Sequence, residues 1–522
     1  MSNLLSRHGL TLLAVLAVVI GFYDNLGGLP LFDVDEGAFS EATREMLARH
    51  DLISPTLYGE PRYDKPILIY WMQALSVSLL GLNETALRLP SAVAATLWAL
   101  VVFLFVRRVG AARDGLLAVC VMATSLLVPV IGKAAIADAL LDLFLTATMA
   151  AVYLYYRERR RRFIHLAFIA MALGFLTKGP IAVLIPLVVS GVFFALRHDF
   201  RGWLRAAFNP VGLMLFIAIA LPWYVLEFAA KGDGFIEGFF GHHNIGRFTG
   251  TMEGHGGNFF YYVPVVVLAL LPYTAVFIKL CARAKALVKQ DLELYLILWF
   301  GFVFVFFSLS STKLPHYILY GLTAVFMLLG LHFGELRRRW LAFLPVILLF
   351  AFLALLPQIV TAAVPHIRDK FVAAMLQDPQ QYFSMAYRGY FVAAVLICIY
   401  FVVDRRLSQT LKLIICGLLM TLGVSQFLLP AVAAIQQQPV KEAALIARSL
   451  GTEVVMWGLD RPSFGVYSRH AVVRRDPVPG DVVVTKSTRL GQLKDYDLLY
   501  SRNGIALLRL DPARPAAPSP GQ

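Results

Sequence analysis

The sequence predicts a polytopic α-helical membrane protein, and three observations support this fold class. Hydrophobic residues make up 59% of the 522 residues, only 15% are charged, and the mean hydropathy is +0.69. Apolar runs that reach or approach the roughly 20 residues needed to span a bilayer recur along the chain. Short clusters of Arg and Lys separate these runs, as they do in the cytoplasmic loops of membrane proteins. A soluble multidomain enzyme would need far more polar surface.

The basic excess indicates topology rather than nucleic-acid binding. The formal net charge is +14, but the residues responsible lie largely in the short clusters between apolar runs. We therefore expect no nucleic-acid partner. The chain has four cysteines, Cys120, Cys281, Cys398 and Cys416. All lie in or at the end of apolar runs and none forms a CxxC motif, which argues against a disulfide framework or a zinc-finger-type site.

Thirteen membrane helices are predicted, at 9–29, 87–107, 115–132, 138–156, 163–178, 180–196, 208–229, 258–280, 291–309, 314–332, 339–361, 388–403 and 410–430. The first is interpreted as a retained helix, because no small-x-small cleavage site follows it. The segment 66–81 begins with Pro66, is short, and is polar on both sides. It is predicted to be an interfacial helix at the outer membrane surface.

With the N-terminus inside, every basic cluster falls on the inner face. Residues 1–430 are then the transmembrane domain, and 30–86 form its first outer loop. The other outer segments are 133–137, 178–180, 229–257, 310–315, 362–387 and everything after 430.

The composition changes after Pro430. A short helix is predicted at 440–450, and strands at 454–458 and 481–485. Two further β-prone runs flank Asn503-Gly504, a strong hairpin signal. Residues 431–511 are therefore predicted to be a small α/β domain on the outer face, serving as a structural cap. Residues 512–522 are predicted to be a disordered tail.

The first outer loop is dense in charge between 33 and 65, although it follows a long apolar run. Bilayer flanks more often carry Lys and Arg, and a carboxylate cluster beside a membrane segment is costly to desolvate. The alternative reading is a solvated loop. The predicted topology favours a functional role for these charges, because the other unusual charges of the chain also fall on the outer face. On that face lie Asp35, Glu36, Asp64 and Lys65 of the loop itself, together with Asp138, Lys178, His242, His243, Arg247, Lys313 and Tyr317.

This mixture of acids and cations suits a phosphate-linked sugar. Lys65, Lys178, Arg247 and Lys313 can hold phosphate oxygens through charge-assisted hydrogen bonds. A carboxylate such as Asp35 or Asp138 can act as a general base, orient a hydroxyl, or stabilise an oxocarbenium-like carbon. Asp64 and His243 together could hold a divalent metal, although only two protein ligands are in view. Glycosyl transfer from a lipid-phosphate sugar is the chemistry that this pattern indicates.

Motifs spread along the chain carry a family resemblance. They are DVDEGAFSEATREM, YDKPILIYWMQA, LNETALRLPSA, ADALLDLF, GFLTKGPIA, FFGHHNIGRF, STKLPHYILY and VVMWGLDRPSFGVYSRHAVV. With these motifs the sequence resembles the GT-C class of integral-membrane glycosyltransferases. It is most similar to the bacterial branch of lipid A aminoarabinose transferases and protein mannosyltransferase-like enzymes. The resemblance covers nearly the whole chain and implies a GT-C fold.

The resemblance also implies roles for individual residues. Asp35, with Glu36 beside it, resembles the family's essential acid in the first outer loop, and Asp138 its second acid. Lys65, Arg247 and Tyr317 resemble the contacts to the polyprenyl phosphate, and Lys178 resembles another cavity lysine. Asp64 and His243 match a carboxylate–histidine pair implicated in metal binding, with zinc, magnesium or manganese as the candidate ion.

Three departures loosen the acceptor and the metal assignment. The lipid A enzyme has Glu in place of Asp64, and Arg-Tyr in place of Ala38-Phe39. Its spacing between histidine and arginine is one residue shorter than that from His243 to Arg247, so the choice between His242 and His243 stays open.

The main hypothesis is therefore an inverting glycosyltransferase in the bacterial inner membrane, with its active site facing the periplasm. The donor would be a sugar on a polyprenyl (undecaprenyl) phosphate, and the acceptor lipid A, another lipid, a glycan or a protein. A transporter or flippase of lipid-linked sugars is the alternative, and would predict functional charges within the membrane and on both faces. A signalling receptor would leave the carboxylates of the first loop unexplained. The sequence specifies neither the sugar nor the acceptor.

Overall fold

A computed structural model describes residues 7–246, 250 and 256–512, so most of the predicted tail lies outside the described residues. The chain is predominantly helical. Its first twelve α-helices are α1 (Arg7–Tyr23), α2 (Asp35–Arg49), α3 (Leu68–Leu80), α4 (Glu84–Val109), α5 (Ala112–Ala123), α6 (Leu127–Gly132), α7 (Asp138–Glu158), α8 (Arg161–Lys178), α9 (Ile181–Leu196), α10 (Phe200–Ala207), α11 (Pro210–Lys231) and α12 (Asp233–Ile236).

A π-helical segment, Glu237–Gly246, continues from α12. The later α-helices span Tyr262–Ala269, Thr274–Cys281, Ala284–Leu287, Asp291–Leu309, Leu319–Leu331, Arg339–Ala363, Lys370–Met375, Met385–Val403, Gln409–Gly423, Leu429–Gln436, Gln438–Leu450 and Ser463–Ser468.

Among the described residues, seven helical stretches are long and apolar enough to cross a membrane. They are Glu84–Val109, Asp138–Glu158, Pro210–Lys231, Asp291–Leu309, Arg339–His366, Met385–Val403 and Gln409–Gln436. The other predicted spans contain helices that are shorter, more charged or interrupted. Length and composition thus support a polytopic membrane protein, whereas the predicted number of thirteen spans stays a prediction.

Two predicted spans are broken rather than continuous. The span 115–132 is divided between α5 and α6, and 258–280 is interrupted before Thr274, where Pro272 has no N–H for a helical hydrogen bond. The breaks face each other: Leu126 N–H donates to Leu271 O at 3.1 Å, and the Thr124 and Tyr273 hydroxyls are 2.6 Å apart. Backbone that leaves a helix inside a membrane is tolerated where other protein groups satisfy it, as they do here.

Helix α3 falls within the segment 66–81, whose interfacial placement stays a prediction. It has 13 residues, which at 1.5 Å per residue cover about 20 Å and fall short of the roughly 30 Å hydrocarbon core. One face is buried and includes Tyr70 and Gln73, while Leu75 and Leu79 on the other face are exposed. An apolar face left uncovered beside a polar loop is typical of a helix that lies in the membrane surface.

The C-terminal part contains a five-stranded sheet. Its strands are β3 (Val454–Trp457), β4 (Val472–Val473), β5 (Val482–Lys486), β6 (Tyr496–Arg502) and β7 (Ile505–Leu510), in the order β4-β3-β5-β7-β6. A short hairpin in the first outer loop supplies β1 (Thr56–Leu57) and β2 (Glu60–Pro61). The predicted strands at 454–458 and 481–485 are confirmed.

The predicted hairpin at Asn503-Gly504 is also confirmed, because β6 and β7 pair antiparallel across these two residues. Asn503 has a φ of 46° and Gly504 a φ of 78°. A two-residue turn that matches the twist of the strands requires positive φ at both positions, which Asn and Gly adopt most readily.

The C-terminal sheet, the first outer loop and the start of α4 share one apolar core. Val454, Val484 and Leu507 pack in the same cluster as Val440 and Ala447 of the helix Gln438–Leu450. That cluster also contains Leu31, Val77, Ala86 and Leu87 of the first outer loop and α4. The C-terminal part is thus packed directly onto the loop that carries Asp35.

Candidate active site

Asp138 is the centre of the site. It is the first residue of α7, it is buried, and its Oδ1 accepts hydrogen bonds from Lys178 Nζ at 2.7 Å and from the Tyr320 hydroxyl at 2.5 Å. Lys178 Nζ also donates to the Tyr320 oxygen at 2.6 Å. Asp138 lies at the start of one helix and Lys178 at the end of the next, so the tight turns of the bundle bring the acid and the base together.

His316 and Tyr317 lie beside this pair. The His316 Nε2 is 3.6 Å from Asp138 Oδ1, and Lys178 Nζ lies 5.4 Å from the centre of the Tyr317 ring. A cation at this distance from an aromatic ring is stabilised by the ring quadrupole. The motif STKLPHYILY therefore contributes an imidazole and two phenols to one side of Asp138.

Asp35 is exposed at the first turn of α2 and lines a cavity of about 240 Å³. The polar residues around this cavity are Asn25, Asp33, Asp35, Glu36, Arg88, Lys133 and His316. His316 lines this cavity together with Asp35 and lies 3.6 Å from Asp138, which binds Lys178. Three residues that the sequence singled out, Asp35, Asp138 and Lys178, thus lie at or beside the cavity, although they come from distant parts of the chain.

Glu36 does not share the exposure of Asp35. Its carboxylate accepts hydrogen bonds from Arg88 Nε at 2.8 Å and Arg88 Nη2 at 2.7 Å, and from the backbone N–H groups of Phe32 and Ala135. Burial alone would raise the pKa of Glu36, but Arg88 and the two backbone donors hold it below its usual value. These contacts favour a structural role, and the predicted catalytic role is untested.

Asp64 and Lys65 contact each other. Lys65 Nζ donates to Asp64 Oδ1 at 2.8 Å, and Arg62 donates to the other carboxylate oxygen at 3.0 Å. The Arg62 side chain also stacks over Phe39 and bonds the Tyr70 hydroxyl, so α2 and α3 hold it from two sides. The predicted metal ligand Asp64 is therefore already neutralised by two cations.

The remaining predicted phosphate contacts are placed in part. Lys313 is buried, and its ammonium group donates to the Ser310 carbonyl. Arg247 lies outside the described residues, and so do the side chains of His242 and His243, whose backbone belongs to Glu237–Gly246. Within the described ranges no group of three or more His, Cys, Asp and Glu side chains could hold a metal ion.

The sequence analysis assigns no role to three residues of the site. Arg88 is a buried cation inside a membrane helix, and that rarity was the signal that could have identified it. Tyr320 follows His316 by four residues in STKLPHYILY, the spacing that brings two side chains to one helical face. His316 itself could not be separated from an ordinary hydrogen-bonded histidine without its neighbours.

Comparisons with known proteins agree with this architecture. Residues 64–225 match a family model described as dolichyl-phosphate-mannose-protein mannosyltransferase. An uncharacterised protein of Aquifex aeolicus is 30% identical over 331 residues, which are 63% of this chain and 73% of the relative. An undecaprenyl phosphate-α-4-amino-4-deoxy-L-arabinose arabinosyl transferase of Edwardsiella ictaluri is 32% identical over 314 residues. That match covers 59% of this chain but only 56% of the transferase.

A solved crystal structure has the same fold over nearly the whole chain. ArnT from Cupriavidus metallidurans, bound to undecaprenyl phosphate, superposes with a TM-score of 0.83 at 20% identity, covering 97% of this chain and 98% of that one. The fold is therefore that of a GT-C integral-membrane protein. The chain belongs to one family with the Aquifex aeolicus protein, and over part of its length it is similar to the arabinosyl transferases and to the mannosyltransferase family model.

Proposed function

We propose that the protein is a glycosyltransferase that moves a sugar from a polyprenyl phosphate to an acceptor of the cell envelope, such as lipid A, a glycan or a protein. The observation that carries this proposal is the position of His316, which lies 3.6 Å from Asp138 of the Asp138–Lys178 pair and lines one cavity with Asp35. The arabinosyl transferase of Edwardsiella ictaluri takes its sugar from undecaprenyl phosphate, and the structurally similar ArnT was crystallised with that lipid. Both support a polyprenyl phosphate as the donor.

The donor phosphate would be held by the cations of the site. Lys65, Lys178, Lys313 and Arg247 are the proposed contacts, with the Tyr317 hydroxyl beside them. Asp138 and Tyr320 fix the Lys178 ammonium from two directions, which reduces the entropy lost when it binds an anion. The prenyl chain would remain in the membrane, so that only the phosphate and the sugar reach these residues.

Transfer would be a single displacement with inversion. An acceptor oxygen attacks the anomeric carbon, the bond from that carbon to the phosphate oxygen breaks, and the polyprenyl phosphate leaves with the electron pair. Asp35 would take the proton of a hydroxyl acceptor, because it faces the cavity, or would position a phosphate acceptor that needs no base. The lysines would stabilise the charge that develops on the leaving phosphate.

A divalent metal is not needed for these steps. The sequence predicts Asp64 and His243 as its ligands, yet Asp64 is paired with Arg62 and Lys65. A metal at Asp64 would have to compete with two fixed cations for one carboxylate. Because the His243 side chain lies outside the described residues, the metal site stays a prediction, and no step of the reaction is assigned to the metal.

The proposed location is the bacterial inner membrane, with the cavity facing the periplasm. The basic loop clusters support this orientation through the preference of Arg and Lys for the cytoplasmic side. We propose in addition that thirteen segments cross the membrane and that residues 431–511 form an outer α/β domain. The broken segments would cross as helix pairs joined through their facing breaks.

Mass spectrometry of the envelope tests this function. Lipid A, envelope glycans and envelope proteins from cells with and without the protein would be compared, and one class is expected to lose a sugar in the deletion strain. Cells producing Asp35→Asn should resemble the deletion strain, although the purified variant should still bind undecaprenyl phosphate.

Asp378→Asn is the matched control, because Asp378 is an exposed acid of another predicted outer loop, remote from the site in sequence. It should retain transfer. Full transfer by Asp35→Asn would contradict the site assignment, and unchanged envelopes in the deletion strain would contradict the function.

A further inference from the structure

The C-terminal part holds the segment immediately before Asp35. Asp33 Oδ1 accepts the backbone N–H of Ser463 at 2.9 Å, and Asp33 Oδ2 accepts the Ser463 hydroxyl at 2.6 Å. Both oxygens of one carboxylate are therefore bound to a single residue that is 430 positions away in the chain. Charge-assisted hydrogen bonds of this kind are shorter and stronger than neutral ones, so Asp33 is fixed in both position and orientation.

Two glycines let the backbones approach closely at this contact. A Cβ atom at Gly37, in the first turn of α2, would overlap the Asp33 carboxylate and the backbone nitrogen of Ser463. A Cβ atom at Gly465 would overlap the carboxylate of Glu41, which Arg44 holds with two hydrogen bonds. The helix Ser463–Ser468 thus lies against α2 at a distance that only glycine permits at these two positions.

The same short helix is tied to the beginning of α4. The Tyr467 hydroxyl accepts the Leu31 N–H at 2.8 Å and lies 3.1 Å from Glu84 Oε1. Lys441 donates to Glu84 at 2.5 Å. One turn further along α4, Arg88 binds Glu36. The C-terminal part therefore contacts both α2, which carries Asp35, and α4, which is joined to α2 by the Arg88–Glu36 pair.

These contacts go beyond a cap that only shields the outer face. Asp35 is the second residue after Asp33 and the first of α2, so a rotation of this turn would redirect its carboxylate. Within the described part of the chain, the exposed Asp35 side chain makes no hydrogen bond comparable to those of Asp33, so its direction depends on the turn.

We propose that Ser463 and Gly465 are positioning residues for transfer: through Asp33 and α2, the C-terminal part sets the direction of the Asp35 carboxylate in the cavity. The inference rests on the proposed function, because the direction of Asp35 matters for transfer only if Asp35 takes part in it. Neither residue touches the cavity, and neither contacts the donor phosphate site.

The test compares the full-length variants Ser463→Ala, Asp33→Ala and their double mutant in detergent and in cells. Each single variant is expected to lower sugar transfer about tenfold, as loss of a hydrogen bond to a charged group implies, while affinity for undecaprenyl phosphate stays within about twofold. The double mutant should be no worse than the single variants, because both break the same contact. Hydrogen exchange of the α2 backbone should be faster in all three.

Ser449→Ala is the matched control. Its hydroxyl bonds only the Ile446 carbonyl within the exposed end of the helix Gln438–Leu450, and this variant should behave as the wild type. Wild-type exchange in α2, or fully additive losses of transfer, would overturn the proposal. If the wild-type protein transfers no sugar, the proposed function fails, whereas the exchange data still report whether Ser463 fixes α2.

Discussion

Lys178 Nζ lies 2.7 Å from Asp138 Oδ1, and the Tyr320 hydroxyl lies within hydrogen-bonding distance of both atoms. The acid begins α7 and the base ends α8, so neither needs a flexible loop to reach the other.

The Asp138–Lys178–Tyr320 triad predicts that Tyr320→Phe impairs transfer. The change removes one hydrogen bond from Asp138 and one from Lys178 and leaves the aromatic ring, which packs on Phe307 and Tyr317. We expect transfer to fall about tenfold, since a hydrogen bond to a charged group contributes about 1.5–3 kcal/mol. Tyr382→Phe, at a tyrosine that bonds Asn503 in the C-terminal part, is the control. Equal transfer by the two variants would contradict the role of Tyr320.

The proposed phosphate contacts predict weaker donor binding when a lysine is removed. Lys65→Met and Lys178→Met keep most of the side-chain length and lose the charge. Each should weaken undecaprenyl phosphate binding about tenfold or more, because a charge-assisted hydrogen bond to phosphate is lost. Titration of the purified protein with that lipid measures the effect. Lys370→Met, at an exposed lysine outside the site, should leave affinity unchanged. Unaltered affinity in both site variants would remove them from the donor site.

The buried ion pair predicts a large loss of stability in Arg88→Met. Glu36 would keep its two backbone donors but lose its only cation in a buried position, which typically costs about 3–5 kcal/mol. Thermal unfolding in detergent should show a clear decrease in Tm. Arg108→Met breaks a more exposed pair with Glu158 and should change Tm little. A similar Tm for the two variants would show that the Glu36–Arg88 pair does not stabilise the first outer loop.

The buried carboxylates of Asp33 and Glu41, which lie against the C-terminal part, predict that the stability of the fold depends on pH. Burial raises the pKa of Asp33 from 3.8 to about 6, although the hydrogen bonds from Ser463 oppose this shift. Burial likewise raises the pKa of Glu41 from 4.5 to about 7, although the bonds from Arg44 oppose it. Because the folded-state values are the higher ones, the folded chain binds protons more tightly in this window. The contribution of Asp33 and Glu41 to stability should therefore fall as the pH rises from about 4 to about 7.

Thermal unfolding across this pH range measures the effect. The decline should be shallower in Glu41→Gln and in Asp33→Asn than in the wild type, whatever their absolute stabilities, and Asp378→Asn should follow the wild type. A Tm that rises with pH between about 4 and 7 in the wild type, and less so in the variants, would reverse the sign and contradict this account.

Particular residues show how far the sequence reached into the site. Asp138 and Lys178 stand out in the sequence because they fall on the same predicted membrane face as the carboxylates of the first outer loop, and the structure joins them. Asp35 and Glu36 are equivalent as neighbours in the sequence, yet a helix places successive side chains about 100° apart. Asp35 is therefore exposed at the cavity, whereas the Glu36 carboxylate is buried against Arg88. That division depends on where α4 lies, which no local pattern specifies.

The sequence alone determined the class of the molecule. Apolar length, basic loops and the Asn503-Gly504 turn act locally or through the membrane, so composition and spacing were enough to predict helices, orientation and hairpin. The tertiary structure alone decided the partners. Lys178 with Asp138, Arg88 with Glu36 and Ser463 with Asp33 are separated by 40, 52 and 430 positions. Hydrogen bonds and ion pairs act over a few ångströms, and only the packing of the helices and the C-terminal sheet brings such distant residues within that range.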